Sequence, residues 1–287
     1  VLGWSDQRRK SNYASFQCLQ ALGYQSVGFT VWVLSYLVII ILGAIILIAT
    51  LGSNRWANPG VLQTPGVIIF FILVFGLFAL YCVFPIIAAV ACALGKDIRY
   101  PIMGDRLARY VGYEPGQTLE DQRSLDEDRE IRWVAAMGHF SILIMLWGML
   151  APLTAWILQG KNNFFLKFQS IQTLMYQAAV TILYFVGGFL YLFGMSLLLV
   201  SIGTIGGSDF NSSTGILNLV ILGVVFLIAV LVILSVPLLH ILGQWAGYRV
   251  LKGDDYRYPL IGRLVERWMA RQNLRAGAGD TLLKGTS

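Results

Sequence analysis

Few residues in this sequence are of types that carry out chemistry. The two histidines, His139 and His240, both fall inside long apolar segments. There a histidine can hydrogen-bond a neighbouring helix, meet the second histidine, or ligate a metal-centred pigment. We favour the hydrogen bond, because polar groups in lipid need partners. The three cysteines have no CxxC or metal-ligand spacing and are expected to be small buried hydrophobes. The sequence therefore predicts no catalytic residue, no metal site and no cofactor, with a pigment as the less favoured alternative.

Glutamines recur in two matching ten-residue segments. The segments read FQCLQALGYQ at 16–25 and FQSIQTLMYQ at 168–177. With 3.6 residues per helical turn, two glutamines and one tyrosine of each segment share a face. These polar stripes consist of Gln17, Gln20 and Tyr24, and of Gln169, Gln172 and Tyr176. Such a stripe either lines a polar groove or joins helices by hydrogen bonds, and the second role is the commoner one in membranes.

The elements that carry these residues are long uncharged segments. The chain is 57% hydrophobic and only 13% charged. Ion-coupled transport is disfavoured, because proton and ion carriers usually keep ionisable side chains inside their spans. All 21 Lys and Arg flank the spans, which suits anionic lipid headgroups and gives no nucleic-acid pattern. We predict an all-α, polytopic membrane protein whose five uncharged segments are Val27–Leu51, Thr64–Leu94, Trp133–Leu158, Phe168–Ile202 and Gly215–Tyr248.

The chain reads as a tandem duplication. A shift of 152 residues superposes the glutamine segments, Trp4 on Trp156, and Pro85 on Pro237. The phrases IRYPIMGDRL at 98–107 and YRYPLIGRL at 256–264 need a shift of 158, so we place a six-residue difference after the helix prolines. Each repeat is expected to contain three helices and a short amphipathic helix. Since Val1–Trp4 matches only the tail of a first helix, we expect six spans in the full gene product, five of them complete here.

Three crossings per repeat would invert the second repeat relative to the first. The two Tyr-Pro phrases are then expected at opposite membrane faces. In this arrangement the basic residues divide almost evenly between the faces, so the positive-inside rule gives no orientation. The predicted organisation is a first membrane repeat at 1–112, a polar acidic linker at 113–130, a second membrane repeat at 131–271 and a flexible tail at 272–287.

Each Tyr-Pro phrase begins a short amphipathic helix that we expect to lie in the membrane interface. Proline suits the first turn of a helix, and aromatic rings with long cationic side chains suit the headgroup region. The expected interface anchors are Tyr100, Pro101 and Arg106 in the first repeat, and Tyr256, Tyr258, Pro259, Arg263 and Trp268 in the second.

Three segments carry a resemblance to a known family. RWVAAMGHFS at 132–141, FLKFQSIQTLMYQ at 165–177 and GDDYRYPLIGRL at 253–264 resemble a bacterial membrane domain of unknown function. That domain is itself regarded as similar to the Tic-type component of the chloroplast inner-envelope import channel. Lys167 stands where the family usually has Asn. The resemblance implies a helical membrane fold, and the residues that carry it are Trp133, His139, Ser141, Phe168, Gln169, Tyr256, Tyr258 and Pro259.

These observations favour a non-catalytic accessory or scaffold subunit of a larger membrane assembly. Its expected partners are membrane lipids and other membrane subunits, without nucleic acid, in the inner (plasma) membrane of a bacterium. The alternative is a passive channel or carrier built from inverted repeats, with a translocation-related role implied only by the Tic-type resemblance. Its path would be lined by Gln17, Gln20, Gln169 and Gln172.

Overall fold

The computed structural model describes residues 1–52, 63–114, 125–205 and 213–284, so part of the predicted linker at 113–130 lies outside it. Within these residues all regular structure is helical. A π-helical segment at Tyr24–Gly28 joins α2 to α3, and a 3₁₀ segment at Ser141–Met149 joins α6 to α7. The α-helices are α1 (Leu2–Gln7), α2 (Asn12–Gly23), α3 (Phe29–Gly52), α4 (Gln63–Ala93), α5 (Met103–Val111), α6 (Glu127–Phe140), α7 (Leu150–Gln159), α8 (Phe164–Ile205), α9 (Ser213–Leu251) and α10 (Ile261–Lys284).

Five helical segments have the length and apolar composition needed to cross a bilayer. Large apolar side chains on their outward faces, such as Leu80, Phe189 and Leu238, are each at least 68% exposed. Exposure on this scale fits contact with lipid tails, since water-soluble proteins rarely expose large apolar patches. The all-α polytopic membrane fold is confirmed, with candidate spans at Asn12–Ile45, Ile68–Ala93, Glu127–Gln159, Phe164–Val200 and Val220–Leu251.

The third of these segments, 127–159, folds back on itself. A straight helix of 33 residues would separate its ends by roughly 50 Å. Instead, the guanidinium of Arg8 donates to Glu127 Oε1 at 2.8 Å and to Gln159 Oε1 at 3.4 Å. Helices α6 and α7 therefore form a hairpin whose two ends lie at the same membrane face. The prediction of a single span at Trp133–Leu158 is wrong, because the segment turns back and ends at the face where it begins.

The turn of the hairpin lies at Met145, whose φ of 53° and ψ of −129° are not helical. Ser141 Oγ lies 2.6 Å from the carbonyl oxygen of Gly138 and 2.8 Å from that of Gly148, one on each side of the turn, so its single hydroxyl hydrogen can be donated to either. These bonds use backbone acceptors that the turn removes from the helical ladder. A Cβ on Gly138 would lie 3.5 Å from Pro152 Cβ, so the two arms pack in direct contact.

The two repeats share one orientation across the membrane. Tyr110 donates its hydroxyl to Leu251 O at 3.1 Å, which places the end of α5 beside the end of α9. Arg129, at the start of α6, donates to Tyr110 O at 2.9 Å. Because the hairpin does not cross, each repeat crosses twice, through α3 and α4 and then through α8 and α9. The predicted inverted topology is therefore wrong: these are parallel repeats, related by an axis along the membrane normal.

This correction also gathers the charge at one face. We call the side where α4 and α9 end the charged face. Within the described residues, every Lys, Arg, Asp and Glu belongs to a segment that begins or ends at this face. Lys and Arg accumulate on the cytoplasmic side of membrane proteins, so the positive-inside rule predicts that the charged face is cytoplasmic.

The register of the duplication also differs from the sequence prediction. Tyr24 donates its hydroxyl to Tyr81 O at 3.2 Å, and Tyr176 donates to Leu239 O at 2.7 Å. Tyr24 and Tyr176 are 152 apart, whereas their acceptors are already 158 apart. The six-residue difference therefore precedes the acceptors, and the proposed match of Pro85 with Pro237 is wrong. The ends of α4 and α9, at Ala93 and Leu251, agree with the spacing of 158.

Helix α10 is longer than the sequence predicts. It begins at Ile261, two residues after the proline of the Tyr-Pro phrase, and continues to Lys284. Most of 272–287 is thus helical, where a flexible tail was expected. Once a helix is nucleated, each further residue adds a hydrogen bond at little cost, which accounts for the extension.

The main apolar core lies at the charged face. It joins helices from both repeats, because its fully buried members include Trp4 of α1, Phe16 of α2, Leu107 of α5, Ala136 of α6 and Val250 of α9. The outer parts of the long helices carry their apolar side chains towards lipid instead. The repeats are therefore held together mainly at the charged face, where the polar stripes also lie.

Candidate functional site

The first polar stripe closes on the loop that follows α4. Gln17 Nε2 donates to Asp97 Oδ1 at 2.8 Å and to Ile98 O at 3.1 Å. Gln20 Nε2 donates to the same Ile98 oxygen at 3.1 Å, and Gln20 Oε1 accepts from Tyr100 N at 3.0 Å. We call this arrangement a clasp: two glutamines of one helix hold the backbone that leads into the amphipathic helix.

The second polar stripe forms the same clasp in the second repeat. Gln169 Nε2 donates to Asp255 Oδ1 at 2.9 Å and to Tyr256 O at 3.1 Å. Gln172 Nε2 donates to Tyr256 O at 2.8 Å, and Gln172 Oε1 accepts from Tyr258 N at 3.4 Å. Each contact repeats one of the first clasp, so the duplication preserves hydrogen bonding as well as helices.

A tyrosine pair completes each clasp. Tyr24 contacts Tyr100 with ring centroids 4.9 Å apart, and Tyr176 stacks on Tyr258 with centroids 3.9 Å apart. The four clasp glutamines are at most 9% exposed. Their amides are thus directed at the chain's own loops, which is the helix-joining role rather than the polar-groove role.

The histidines occupy different environments. His139 Nδ1 lies 3.0 Å from Tyr258 Oη, and His139 Nε2 lies 3.1 Å from Gln169 Oε1, so the ring is part of the second clasp. His240 Nδ1 lies 2.8 Å from Val236 O, one turn earlier in its own helix, and its ring meets Tyr184 edge-on. The two histidines therefore make separate contacts, His139 within the second clasp and His240 within α9 and against α8.

The expected interface anchors divide into two groups. Tyr100 and Tyr258 are 5% and 2% exposed and belong to the clasps, so their assignment to the membrane interface is corrected. The cause is that each tyrosine ring packs against the tyrosine of its stripe. Tyr256 is partly buried beside it. The remaining anchors, Pro101, Arg106, Pro259, Arg263 and Trp268, are exposed at the charged face.

A buried carboxylate links the hairpin to the first repeat. Glu130, only 2% exposed, accepts from Ser15 Oγ at 2.7 Å and from Trp4 Nε1 at 3.4 Å. Burial raises the pKa of the Glu130 carboxyl above its ordinary value of 4.5, although the Ser15 hydrogen bond and the charge of Arg8 act in the opposite direction. Trp133 Nε1 donates to Leu19 O at 3.0 Å one turn further along.

Sequence reasoning missed this contact between the repeats. The predicted polar acidic linker at 113–130 ends on Glu130, which places this carboxylate in solvent rather than in the core. The available signal was its position directly before the apolar Ile131 and close to Trp133. Within the described segments, no three His, Cys, Asp or Glu side chains form a set that could hold a metal ion.

Comparison with known families agrees with the duplication. One family model, described as the magnetosome magnetite crystal formation protein family, matches residues 1–107 and again residues 130–265. Both matches include a glutamine stripe and a Tyr-Pro phrase. They support a bacterial membrane family and give no support to the resemblance to the Tic-type import component. No curated protein and no solved structure matches the chain. The chain belongs to the magnetosome magnetite crystal formation protein family, as a tandem duplicate.

Proposed function

We propose that this protein is a non-catalytic structural subunit of the magnetosome membrane, where it supports magnetite crystal formation as part of a larger membrane assembly. The family match supports the location and the process. The parallel repeats support the structural role, because they form a platform whose charge is gathered at one face. Other subunits would dock at that charged face.

One observation carries the proposal: the polar side chains in α2 and near the start of α8 are hydrogen-bonded to other groups of the same chain. In both clasps the glutamine amides hold backbone groups of the same chain. A channel path needs polar groups that are free to replace the hydration shell of a solute. The passive channel or carrier is therefore less well supported than the structural subunit.

The exposed face of α10 is the surface we propose for docking. Leu260, Leu264 and Trp268 recur every four residues and are 77%, 51% and 40% exposed. Arg263 and Arg267 flank them and are exposed as well. Partly exposed aromatic and arginine side chains are the residue types most enriched in protein interfaces.

The experiment is extraction of magnetosome membranes in a mild detergent followed by native electrophoresis of the tagged chain. We expect a complex much larger than the 31.8 kDa chain. The variant Leu264→Glu/Trp268→Glu should release the chain from the complex and reduce crystal size, as deletion of the gene should. Migration of the wild type as a free monomer, together with normal crystals in the deletion strain, would contradict the proposal.

A further inference from the structure

A cationic cavity of about 590 Å³ lies at the charged face, at the junction between the two repeats. α5 of the first repeat contributes Arg106 and Arg109 to its wall. The start of α6 contributes Arg129 and Arg132, and the end of α9 contributes Lys252. The only carboxylate in the described lining is that of Asp128. Five cations thus face one anion in a cavity that exists only because the repeats lie side by side.

Most of this positive charge is not neutralised by the protein. Asp128 pairs with Arg132 Nε at 2.8 Å, and Asp126 pairs with Arg129 Nε at 3.1 Å. None of the ion pairs in the described part of the chain involves Arg106, Arg109 or Lys252. Like charges gathered without counter-charge repel each other, so the cavity is set up for an anion.

Guanidinium groups provide most of this charge, because four of the five lining cations are arginines. An arginine presents a planar set of N–H donors, which matches phosphate oxygens better than a single point charge does. The cavity is therefore suited to a phosphate group.

A second cavity borders the first along α9. Its volume is about 720 Å³, and Lys252 lines both cavities. Along α9 it presents Ile241, Trp245 and Tyr248, which are 65%, 50% and 42% exposed. The Lys252 ammonium lies 4.8 Å from the Tyr248 ring centroid. Tryptophan and tyrosine rings beside a cation are typical of the level where acyl chains meet headgroups.

We propose that the two cavities together form a binding site for an anionic phospholipid. Its phosphate would occupy the cationic cavity between the repeats, and an acyl chain would lie along α9 over Trp245. Basic pockets between helices on the cytoplasmic side are suited to such headgroups. Because the wall comes from α5, α6 and α9, the bound lipid would also tie the first repeat to the second.

The test uses the full chain in detergent and native mass spectrometry with two lipids, phosphatidylcholine and cardiolipin. The wild type should retain cardiolipin and not phosphatidylcholine. Each interfacial cation contributes about a fivefold preference for anionic lipid, so Arg106→Gln/Arg109→Gln/Lys252→Gln should weaken cardiolipin binding on the order of a hundredfold. Trp245→Ala should weaken cardiolipin binding less than the triple variant does, because it removes only a contact with the acyl chain.

The matched control removes the same charge elsewhere. Lys96→Gln/Lys161→Gln/Arg271→Gln neutralises three exposed cations that line neither cavity and should change cardiolipin binding by no more than about threefold. Thermal unfolding of both triple variants in phosphatidylcholine should match that of the wild type, which establishes that each variant folds. Equal losses of cardiolipin in the two variants would overturn the proposal in favour of diffuse surface charge.

Two competitors separate lipid from other anions. Inorganic phosphate and a glutamate hexapeptide are added to the cardiolipin-bound wild type at equal charge. Neither should displace the lipid, since neither can occupy the cavity along α9. Displacement by phosphate would indicate a free-phosphate site, and displacement by the peptide would indicate an acidic protein partner; either result would contradict a lipid site.

Discussion

Replacement of Gln20 by leucine is the most informative test of the clasps. The change removes the acceptor of Tyr100 N–H, a bond of 3.0 Å, and the two bonds that Gln20 Nε2 donates to Ile98 O and Gln17 Oε1, each of 3.1 Å. Ile98 O keeps its bond from Gln17, so Tyr100 N–H is the buried donor left without a partner. An orphaned buried donor costs about 1–3 kcal/mol and each of the other two lost bonds about 1 kcal/mol, which gives a destabilisation of about 3–5 kcal/mol.

The assay is thermal unfolding of the purified chain in one detergent. A destabilisation of this size should lower Tm by roughly 5–10 °C for a chain of this length. The matched control is Gln25→Leu, the same change at an exposed position in the adjoining π-helical segment. A Tm for Gln20→Leu within 1 °C of the Gln25→Leu value would refute the reasoning. If Gln20 instead lined a path, the same variant would alter flux into liposomes and leave Tm unchanged.

Three further predictions concern the hairpin and the second clasp. Glu130→Gln should abolish a pH dependence of stability. Because the pKa of Glu130 is raised in the folded state, the stability of the wild type should fall as pH rises above about 4.5, while that of the variant stays level. Thermal melts from pH 4 to 8 check this, and a parallel fall in both proteins would contradict it. Gly148→Ala would place a Cβ inside the contact distance of the Ser141 carbonyl oxygen and should destabilise the folded chain by at least about 2 kcal/mol. The control Gly188→Ala, whose added Cβ would have no atom within 4 Å, should lower Tm by less than about 2 °C, and equal melts of the two variants would contradict the turn geometry. Tyr258→Phe removes the hydroxyl 3.0 Å from His139 and should lower the free energy of unfolding, measured with denaturant, by about 1 kcal/mol. An unchanged free energy of unfolding would show that this hydrogen bond is not formed in detergent.

The helices and the duplication could be predicted from the sequence because they depend on composition and recurrence. The number of crossings could not. The hairpin turns at Met145, within the stretch ILIMLWGML at 142–150, which contains no proline and no charge to mark the turn. Its stabilising bonds run from Ser141 to backbone carbonyls, which any residue could supply. One missed turn inverted the predicted second repeat and hid the charge asymmetry.

The clasp residues could be found from sequence, but not their partners. Gln17 and Gln20 stood out because the pattern recurs at 169 and 172. Their acceptors are mainly backbone groups of Ile98 and Tyr256, and backbone groups leave no pattern in a sequence. The side-chain acceptors Asp97 and Asp255 did recur at the spacing of 158, and this was a readable signal of the contact.

The central claim is that the two repeats are parallel, with the hairpin and both Tyr-Pro phrases at the cytoplasmic face. Single cysteines at Ile102, Lys161 and Leu260, each exposed, are introduced into a chain whose own cysteines are replaced by serine. They are then treated with a membrane-impermeant maleimide, in intact cells and in inverted vesicles. Parallel repeats predict that all three cysteines react from the same side. A cytoplasmic charged face predicts that this reaction occurs only in inverted vesicles. Reaction of Ile102→Cys and Leu260→Cys from opposite sides, or of Lys161→Cys from the side opposite to Ile102→Cys, would contradict the account.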